Sequence, residues 1–327
     1  MIILKIDPSK VDDYADLALT KKRNYIPLDE KLKNWIASNP NHNDLEIVKD
    51  IHKNIKKILV AQPKELEIII EQYNNNGYQN KIHNGQLTAF GKELESIFRY
   101  NAFRKSKRAV WFAKSSGVKT CTTCNTQYTL TTKQGRNEKL LFHLDHYFPK
   151  SVYPYLSLSY FNLIPCCASC NMGKSNKPFK LSENIHPYID SLHQLAKFNI
   201  DARSLAEFLL DPNRNEEKLR YTLDIRTKYY GDKVYNTKLE NYAKEFRINE
   251  QYELFKDIAA ETCLRAKYYS SKSRRDELKK LFANSQVKLD DELINRLILG
   301  NYYLDKDLLN RPLAKFMRDI GEDLKII

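Results

Sequence analysis

The chain is poor in the features that mark fibrous, repetitive and membrane proteins. Its 327 residues include only 9 glycines, and they form no low-complexity tract or internal repeat. No apolar run approaches the roughly 18–20 residues that a membrane span requires. No GxxxxGK[ST] loop occurs, so any dependence on ATP would have to come from another protein. These absences favour a globular protein of about two domains, long enough to bury a substantial core.

The N-terminus also lacks a secretion signal. Met1–Asp7 has no basic segment followed by a long apolar stretch and a cleavage site,. We therefore expect a cytoplasmic protein, in which cysteines stay reduced.

Four of the six cysteines form two CxxC pairs. They are Cys121, Cys124, Cys167 and Cys170. Each CxxC turn brings two thiolates within reach of one ion, and two pairs complete a tetrahedral site, so we predict structural zinc. Two disulfides are the alternative, but they need an oxidising compartment. Cys166 could replace its neighbour Cys167, although turn geometry favours the pair separated by two residues. Cys263 lies in a helical pattern and is interpreted as a small buried residue.

An Asp-His pair lies between the two cysteine pairs. Lys139–Asp145 is rich in apolar residues and predicts a strand,. Neighbouring side chains of a strand point to opposite faces, so Asp145 can hold a cation while His146 faces another side of a scissile phosphate. Phosphodiester hydrolysis needs a base for water and a hard cation. An oxygen shell from Asp145 and the Asn171 amide suits Mg²⁺ or Mn²⁺.

The order CxxC, DHxxP, Asn, CxxCN resembles the HNH endonucleases, also called ββα-metal or His-Me finger nucleases, in their zinc-stapled branch. The resemblance implies that His146 is the general base and Asp145 the first metal ligand. It implies further that Asn171 is the second metal ligand and that Asn162 orients the loop that bears the histidine. The resemblance implies a small zinc-stapled ββα module, and helical apolar spacing on either side of it predicts helical flanks, so we expect a mostly α (α+β) fold with a small β-hairpin at its centre.

A wider resemblance covers 145–150, 153–165 and 170–174. These segments are similar to HNH nucleases of bacterial anti-phage systems, including Septu-like systems in which an ATPase accompanies the nuclease. The resemblance implies an effector nuclease with an ATPase partner from the same defence operon.

Three lysines flank the predicted centre. Lys150, Lys174 and Lys177 would hold backbone phosphates on either side of the cut. Lys174 is the preferred contact, because it lies one helical turn from Asn171 and faces the same way. The alternative is that these lysines solvate a helix and a loop, as surface lysines usually do.

The charge of the chain favours a polyanionic substrate. Lys and Arg number 54 against 41 Asp and Glu, a formal charge of +13, and such an excess supports nucleic-acid binding. Residues 97–120 contain seven basic residues, no acidic residue and five interleaved aromatics. We interpret this stretch as an amphipathic helix with buried aromatics and a basic face along which a duplex could run.

The pattern divides the chain into three regions. Residues 1–95 and 200–327 show helical apolar spacing, and 96–199 holds the zinc-stapled nuclease module,. The favoured function is a metal-dependent endonuclease that cuts DNA. An RNA endonuclease with the same centre and a non-catalytic zinc module that binds nucleic acid or a protein are the alternatives.

Overall fold

The computed structural model of the protein describes residues 4, 6–21, 25–135, 137–284, 286 and 288–327, and for Gln134 the backbone alone. Part of Met1–Asp7, which carries the argument about secretion, lies outside these residues. Among the helices that are described, none combines the length and the apolar character needed to cross a membrane.

Helices dominate the described residues. Numbered α1 to α17 in chain order, they span Pro8–Leu19, Leu28–Ser38, Leu45–Val60, Pro63–Asn75, Tyr78–Ile82, Ala89–Phe98, Tyr100–Arg104, Lys107–Ser115, Ala168–Lys174, Leu192–Leu195, Ala202–Leu210, Lys233–Glu245, Ile248–Glu253, Lys256–Tyr269, Lys272–Leu281, Asp291–Leu299 and Ala314–Asp323. Short 3₁₀ turns span Pro154–Leu156, Tyr160–Asn162, Glu216–Lys218, Thr227–Tyr229 and Asp305–Asp307.

The strands form small antiparallel ribbons of two strands each. Numbered in chain order, the pairs are β1–β2 (His83–Asn84 and Gln86–Leu87), β3–β4 (Thr131–Gln134 and Asn137–Leu140), β5–β6 (His143–His146 and Leu163–Cys166) and β7–β8 (Ala196–Ile200 and Tyr221–Ile225). The predicted fold class, mostly α (α+β), is therefore confirmed. The sequence pattern indicated a hairpin at the centre of the chain, and the ribbons β1–β2 and β7–β8 are additional to it.

Contacts divide the chain into two compact units. The central unit contains Ile3–Val118 and Thr129–Ile189, and the C-terminal unit contains Lys119–Tyr128 and Asp190–Ile327. The two units are defined by contacts, whereas the three predicted regions are defined by sequence pattern. The division into three regions therefore stays a prediction.

Apolar periodicity explains the longer helices. In α3 the buried residues recur with helical spacing, and they are Ile47, Val48, Ile51, Ile55, Ile58 and Leu59,. The predicted helix over 97–120 is instead broken. Helix α6 ends before Arg99, whose φ of 49° lies in the left-handed region, and α8 starts after Ser106, whose hydroxyl accepts the Arg108 N–H,.

An aromatic cluster fills the core of the central unit. The ring of Tyr14 in α1 meets those of Phe103, Phe112 and Tyr160 edge-on, at centroid distances of 6.1, 5.8 and 5.3 Å. Its hydroxyl donates to the Leu158 carbonyl at 2.8 Å, so this buried polar group is satisfied,. The cluster joins helices from the N-terminal part of the chain to the turn that precedes β6.

The core of the C-terminal unit contains a buried ion pair beside aromatic rings. Lys315 and Asp319, one turn apart in α17, are almost fully buried and pair at 2.5 Å. Asp319 also accepts the Phe198 N–H of β7 at 3.0 Å, and Lys315 donates to the Ala196 carbonyl at 2.8 Å. The pair therefore attaches α17 to the β7–β8 ribbon through main-chain hydrogen bonds.

We predict that Asp319→Ala lowers the free energy of unfolding by about 3–5 kcal/mol, because it leaves the Lys315 ammonium buried without its partner. Urea-induced unfolding measures the loss. Glu207→Ala is the control, since Glu207 pairs with Arg203 on the exposed face of α11 and should contribute only about 0.3–0.5 kcal/mol. Equal losses in the two variants would contradict the role given to the buried pair.

Candidate active site and metal centre

The two CxxC pairs come together. The sulfur atoms of Cys121, Cys124, Cys167 and Cys170 all lie within 4.8 Å of one another, and all four residues are buried. A tetrahedral zinc site with Zn–S bonds of about 2.3 Å places its sulfurs roughly 3.8 Å apart, so the donor set and its spacing fit zinc. The cluster includes Cys167 and not Cys166, which lies in β6. The four cysteines can therefore hold a structural metal ion.

The first CxxC pair lies in a tight turn of the C-terminal unit. The Asn125 N–H donates to the Cys121 carbonyl at 2.9 Å, and Asn125 itself is left-handed, with a φ of 56°. The Thr126 N–H points at Cys124 Sγ at 3.4 Å. Backbone N–H groups directed at sulfur favour the thiolate form, which is the form that binds metal.

Two tyrosine hydroxyls of the C-terminal unit donate hydrogen bonds to main-chain carbonyls of the same turn. Tyr242 donates to the Thr123 carbonyl and Tyr252 to the Cys124 carbonyl, both at 2.6 Å. The Asn125 side chain donates to the Leu308 carbonyl at 3.0 Å. These hydrogen bonds satisfy buried carbonyls and hold the cysteine turn in place.

The second CxxC pair opens helix α9. Cys167 is the N-cap residue, and its sulfur accepts the Cys170 N–H at 3.4 Å. A thiolate at this position meets the positive end of the short helix, which lowers the free energy of its charge. The Cys167 side chain therefore both caps helix α9 and serves as a predicted metal ligand.

Asp145 and His146 end strand β5, which pairs antiparallel with β6. Burial alternates along the strand: Leu144 and His146 are buried, His143 is exposed, and Asp145 is half-buried. The two candidate catalytic side chains therefore belong to opposite faces, as strand geometry requires. The predicted strand over 139–145 is interrupted at Leu141–Phe142, so β4 and β5 belong to different ribbons.

The imidazole of His146 is buried and oriented. Its Nε2 lies 3.0 Å from the Ser157 carbonyl oxygen, and the Tyr100 ring lies edge-on at a centroid distance of 4.3 Å. Because a carbonyl can only accept, Nε2 carries the hydrogen and Nδ1 holds the lone pair. Burial, assisted by the charges of Lys150 and Lys174, lowers the pKa of His146 to about 3, so the ring is neutral,.

The carboxylate of Asp145 lies beside a buried cation. One oxygen accepts the His146 N–H at 2.7 Å, and the other lies 3.9 Å from the Lys174 ammonium. Burial raises the pKa of Asp145 to about 6, although Lys174 and the His146 N–H act in the opposite direction. The two partners therefore compensate the effect of burial on the carboxylate only in part.

Lys174 is the last residue of α9, and it is only 1% exposed. Its ammonium donates to the His146 carbonyl at 2.7 Å and lies 4.9 Å from the centre of the Phe179 ring. The structure places this cation beneath the backbone of the Asp-His pair rather than at the surface. Its predicted role as a phosphate contact stays a prediction.

Asn162 is fully buried and holds the loop between β5 and β6. Its Oδ1 accepts the Phe148 N–H at 2.7 Å, while Nδ2 donates to the Phe148 and Leu156 carbonyls, both at 3.0 Å. Leu156 precedes Ser157, whose carbonyl orients the imidazole of His146. The amide thus fixes the loop through three hydrogen bonds to the main chain.

The other predicted site residues are Asn171, Lys150 and Lys177. Asn171 is half-buried in α9, one turn before Lys174. Lys150 is paired with Glu95 at 3.0 Å, and Lys177 is exposed. Their roles in metal and phosphate binding stay predictions.

Several supporting groups have no signature in the sequence. Ser157 acts through its carbonyl, which every residue type carries. Tyr100 donates to the Leu144 carbonyl at 2.7 Å and packs on His146, but in the sequence it is one aromatic of a basic run. Tyr242 and Tyr252 lie more than a hundred residues beyond the turn they hold, so no local spacing could have indicated them.

Comparison with known proteins gives little further information. No protein-family model matches the chain. No solved structure matches it. A curated protein, Protein ea31 of Escherichia phage lambda, is 43% identical over 51 residues. That similarity spans 15% of this chain and 17% of the phage protein, so it establishes no family membership.

We predict that the purified chain carries one zinc ion, and that Cys167→Ser loses it and unfolds at a lower temperature, because structural zinc contributes directly to folding. Metal content and thermal unfolding with and without a chelator measure both effects. Cys166→Ser is the matched control, since it removes the adjacent thiol, and it should keep the zinc. Loss of zinc in both variants or in neither would contradict the ligand assignment.

We predict that Asn162→Ala destabilises the protein by about 1–3 kcal/mol, because the buried Phe148 N–H and two carbonyls lose their partner. Urea-induced unfolding measures this change in the free energy of unfolding. Asn54→Ala is the control, since that amide donates to Asp50 within α3 and should contribute less than about 1 kcal/mol. An Asn162→Ala protein as stable as the wild type would contradict the role of Asn162 in fixing the loop between β5 and β6.

Proposed function

We propose that this protein is a divalent-metal-dependent endonuclease of the HNH type that hydrolyses phosphodiester bonds in DNA. The observation that carries the proposal is the oriented imidazole of His146 next to the under-compensated carboxylate of Asp145 at the end of β5. The order of elements adds support, because two antiparallel strands are followed by a short helix that holds Asn171. That order matches the ββα module implied by the sequence motif.

His146 acts as the general base. Its Nε2–H is fixed on the Ser157 carbonyl, so the lone pair of Nδ1 is the one available to accept a proton from water,. The hydroxide oxygen attacks the phosphorus, and the bond from phosphorus to the leaving 3′ oxygen breaks. The Ser157 carbonyl then stabilises the imidazolium that forms, in the way that an acceptor behind a catalytic histidine does.

Asp145 and Asn171 provide the oxygen donors for a catalytic cation. A carboxylate and an amide oxygen suit Mg²⁺ or Mn²⁺, and the raised pKa of Asp145 fits a carboxylate that needs a further positive charge,. When bound, the ion would neutralise charge on the phosphate and on the leaving oxygen. The Lys174 ammonium contacts both the Asp145 carboxylate and the His146 carbonyl, so it fixes the position of one relative to the other.

A basic surface in the central unit supports a nucleic-acid substrate. Arg99, Lys105 and Lys107 are exposed on the segment that carries α7 and α8. Tyr100 of the same segment contacts His146, so these cations belong to the segment that touches the candidate base. Arg108 instead covers the Tyr25 ring at 3.7 Å, and Lys114 pairs with Glu138 at 2.6 Å. The exposed cations suit contacts to backbone phosphates, which position a duplex without reading its sequence.

The same centre would also cut RNA, since it acts on phosphate and metal rather than on base or sugar. A role in anti-phage defence and an ATPase partner rest on the motif resemblance alone. A non-catalytic zinc module is the third possibility. The oriented imidazole favours an enzyme over that module, because a binding module would not require a buried histidine whose tautomer a main-chain carbonyl fixes.

We predict that the wild-type protein cuts supercoiled plasmid with Mg²⁺ or Mn²⁺ but not with EDTA, and that His146→Ala lowers the rate at least about 100-fold while plasmid binding is kept. Gel assays of cleavage and of binding measure the two effects, with tRNA and linear DNA as further substrates. His52→Ala, which removes an imidazole from α3, is the control and should cut normally.

Three outcomes would reject parts of the proposal. Full cleavage by a metal-loaded His146→Ala protein would exclude this base. Cleavage of tRNA but not of plasmid would assign the centre to RNA. A zinc-loaded wild type that binds plasmid and cuts no substrate would favour the binding module.

A further inference from the structure

A half-buried arginine lies beside the segment that leads into the candidate catalytic pair. Arg104 is the last residue of α7 and follows Tyr100 by one helical turn, so both side chains lie on the same face of that helix,. Tyr100 donates to the Leu144 carbonyl, and Arg104 donates through Nη2 to the Phe142 carbonyl. Helix α7 therefore runs along one side of the segment that ends in Asp145.

Arg104 keeps donors that this packing does not use. Its Nη2 also lies 3.5 Å from the Leu140 carbonyl, whereas Nε and Nη1 donate to no described residue. No carboxylate in the described part of the chain pairs with the guanidinium. A guanidinium stays charged in proteins and carries five N–H donors. One nitrogen thus fixes the position of the side chain, and the donors of the other two remain for a ligand.

The surrounding sequence offers little negative charge to compensate this cation. Between residues 97 and 144, Glu138 is the one acidic residue, and it pairs with Lys114 at 2.6 Å. That hydrogen bond, together with the charges of Lys133 and Lys107, lowers the pKa of Glu138. A guanidinium that is already held in place loses little conformational freedom when it binds an anion. The position of Arg104 therefore favours an anionic ligand.

The charge of Arg104 acts on groups of the candidate centre. Partial burial and this charge lower the pKa of His143, which lies two residues before Asp145 in β5 and so shares its face of the strand,. Burial raises the pKa of Tyr100, and the Arg104 charge opposes that effect. The Tyr100 ring in turn meets that of His146 at a centroid distance of 4.3 Å. The guanidinium therefore lies close to the centre, on the side where β5 begins.

We propose that Arg104 binds a backbone phosphate of the nucleic-acid substrate, next to the phosphate that is cut. Guanidinium groups bind phosphate through charge-assisted hydrogen bonds, and such contacts position a duplex without reading its sequence. The Phe142 carbonyl that anchors Arg104 belongs to a residue three positions before Asp145, up to roughly 10 Å of extended chain. That separation suits a flanking phosphate. The inference rests on the proposed function, because it takes the ligand to be the substrate of that centre.

Binding of a short DNA duplex by the full-length, zinc-loaded protein tests the inference. Fluorescence anisotropy at several salt concentrations, without Mg²⁺ or Mn²⁺, measures affinity in the absence of cleavage. Arg104→Gln should weaken binding about tenfold, the effect of losing one charge-assisted contact. The slope of log affinity against log salt concentration should also become shallower by about 0.9, the value for one phosphate contact in B-DNA.

Two control variants separate phosphate binding from structural support. Tyr100→Phe removes the neighbouring hydrogen bond to the Leu144 carbonyl but no charge, so it should keep the salt slope. Arg203→Gln removes one positive charge from the exposed face of α11, and it should keep both the affinity and the slope of the wild type. Urea-induced unfolding shows whether each variant is folded. In the wild type itself, the Arg104 Nε–H resonance should shift when the duplex is added.

The inference and the proposed nuclease fail in different ways. Wild-type affinity and slope in a folded Arg104→Gln protein would overturn the inference and leave the nuclease standing. An Nε–H resonance that does not move when the wild type is saturated with duplex would overturn it as well, whether or not Arg104→Gln folds. A wild type that binds no duplex would overturn both. A shallower slope in Arg104→Gln, with a wild type that cuts nothing in Mg²⁺ or Mn²⁺, would reject the nuclease and keep Arg104 as a phosphate contact.

Discussion

The candidate catalytic geometry depends on how the short helix α9 is anchored at its two ends. Its N-cap is Cys167, one of the four clustered thiols, and its last residue is Lys174, whose buried ammonium binds the His146 carbonyl. A helix of seven residues has little stability of its own in water. It therefore requires both anchors, the clustered sulfurs at its start and the cation at its end. Asn171, the predicted second metal ligand, lies between them.

A second constraint acts on the histidine from the opposite side. The amide of Asn162 fixes the loop whose Ser157 carbonyl receives the imidazole Nε2–H. The strand β5 sets which face His146 occupies, and the loop sets which nitrogen is protonated. Neither element alone fixes the imidazole, because a histidine with free rotation would spend little time in any one orientation.

The sequence was sufficient for the parts of this arrangement that depend on residue type and spacing. CxxC spacing predicted the four clustered thiols and favoured Cys167 over Cys166, and apolar periodicity predicted α3 and the mostly helical class. It was insufficient where main-chain atoms or distant residues act. The Ser157 carbonyl has no residue signature, and the β7–β8 ribbon pairs strands separated by a helix. The break at Arg99 depends on a left-handed residue that is not a glycine, which local propensity does not indicate.

The hydrogen bonds behind the first cysteine turn have a consequence for dissecting the chain. Tyr242, Tyr252 and Leu308 hold the carbonyls and the side chain around Cys121–Asn125, yet they follow the motif by more than a hundred residues. A fragment that stops at Ile189 would keep all four clustered cysteines and lose the groups that hold the turn of the first pair. The smallest piece of this protein that could hold a metal ion at the four cysteines is therefore not a contiguous stretch around the motif. Shortening the chain from its C-terminus would remove the groups that hold the first cysteine turn before it removed a single cysteine.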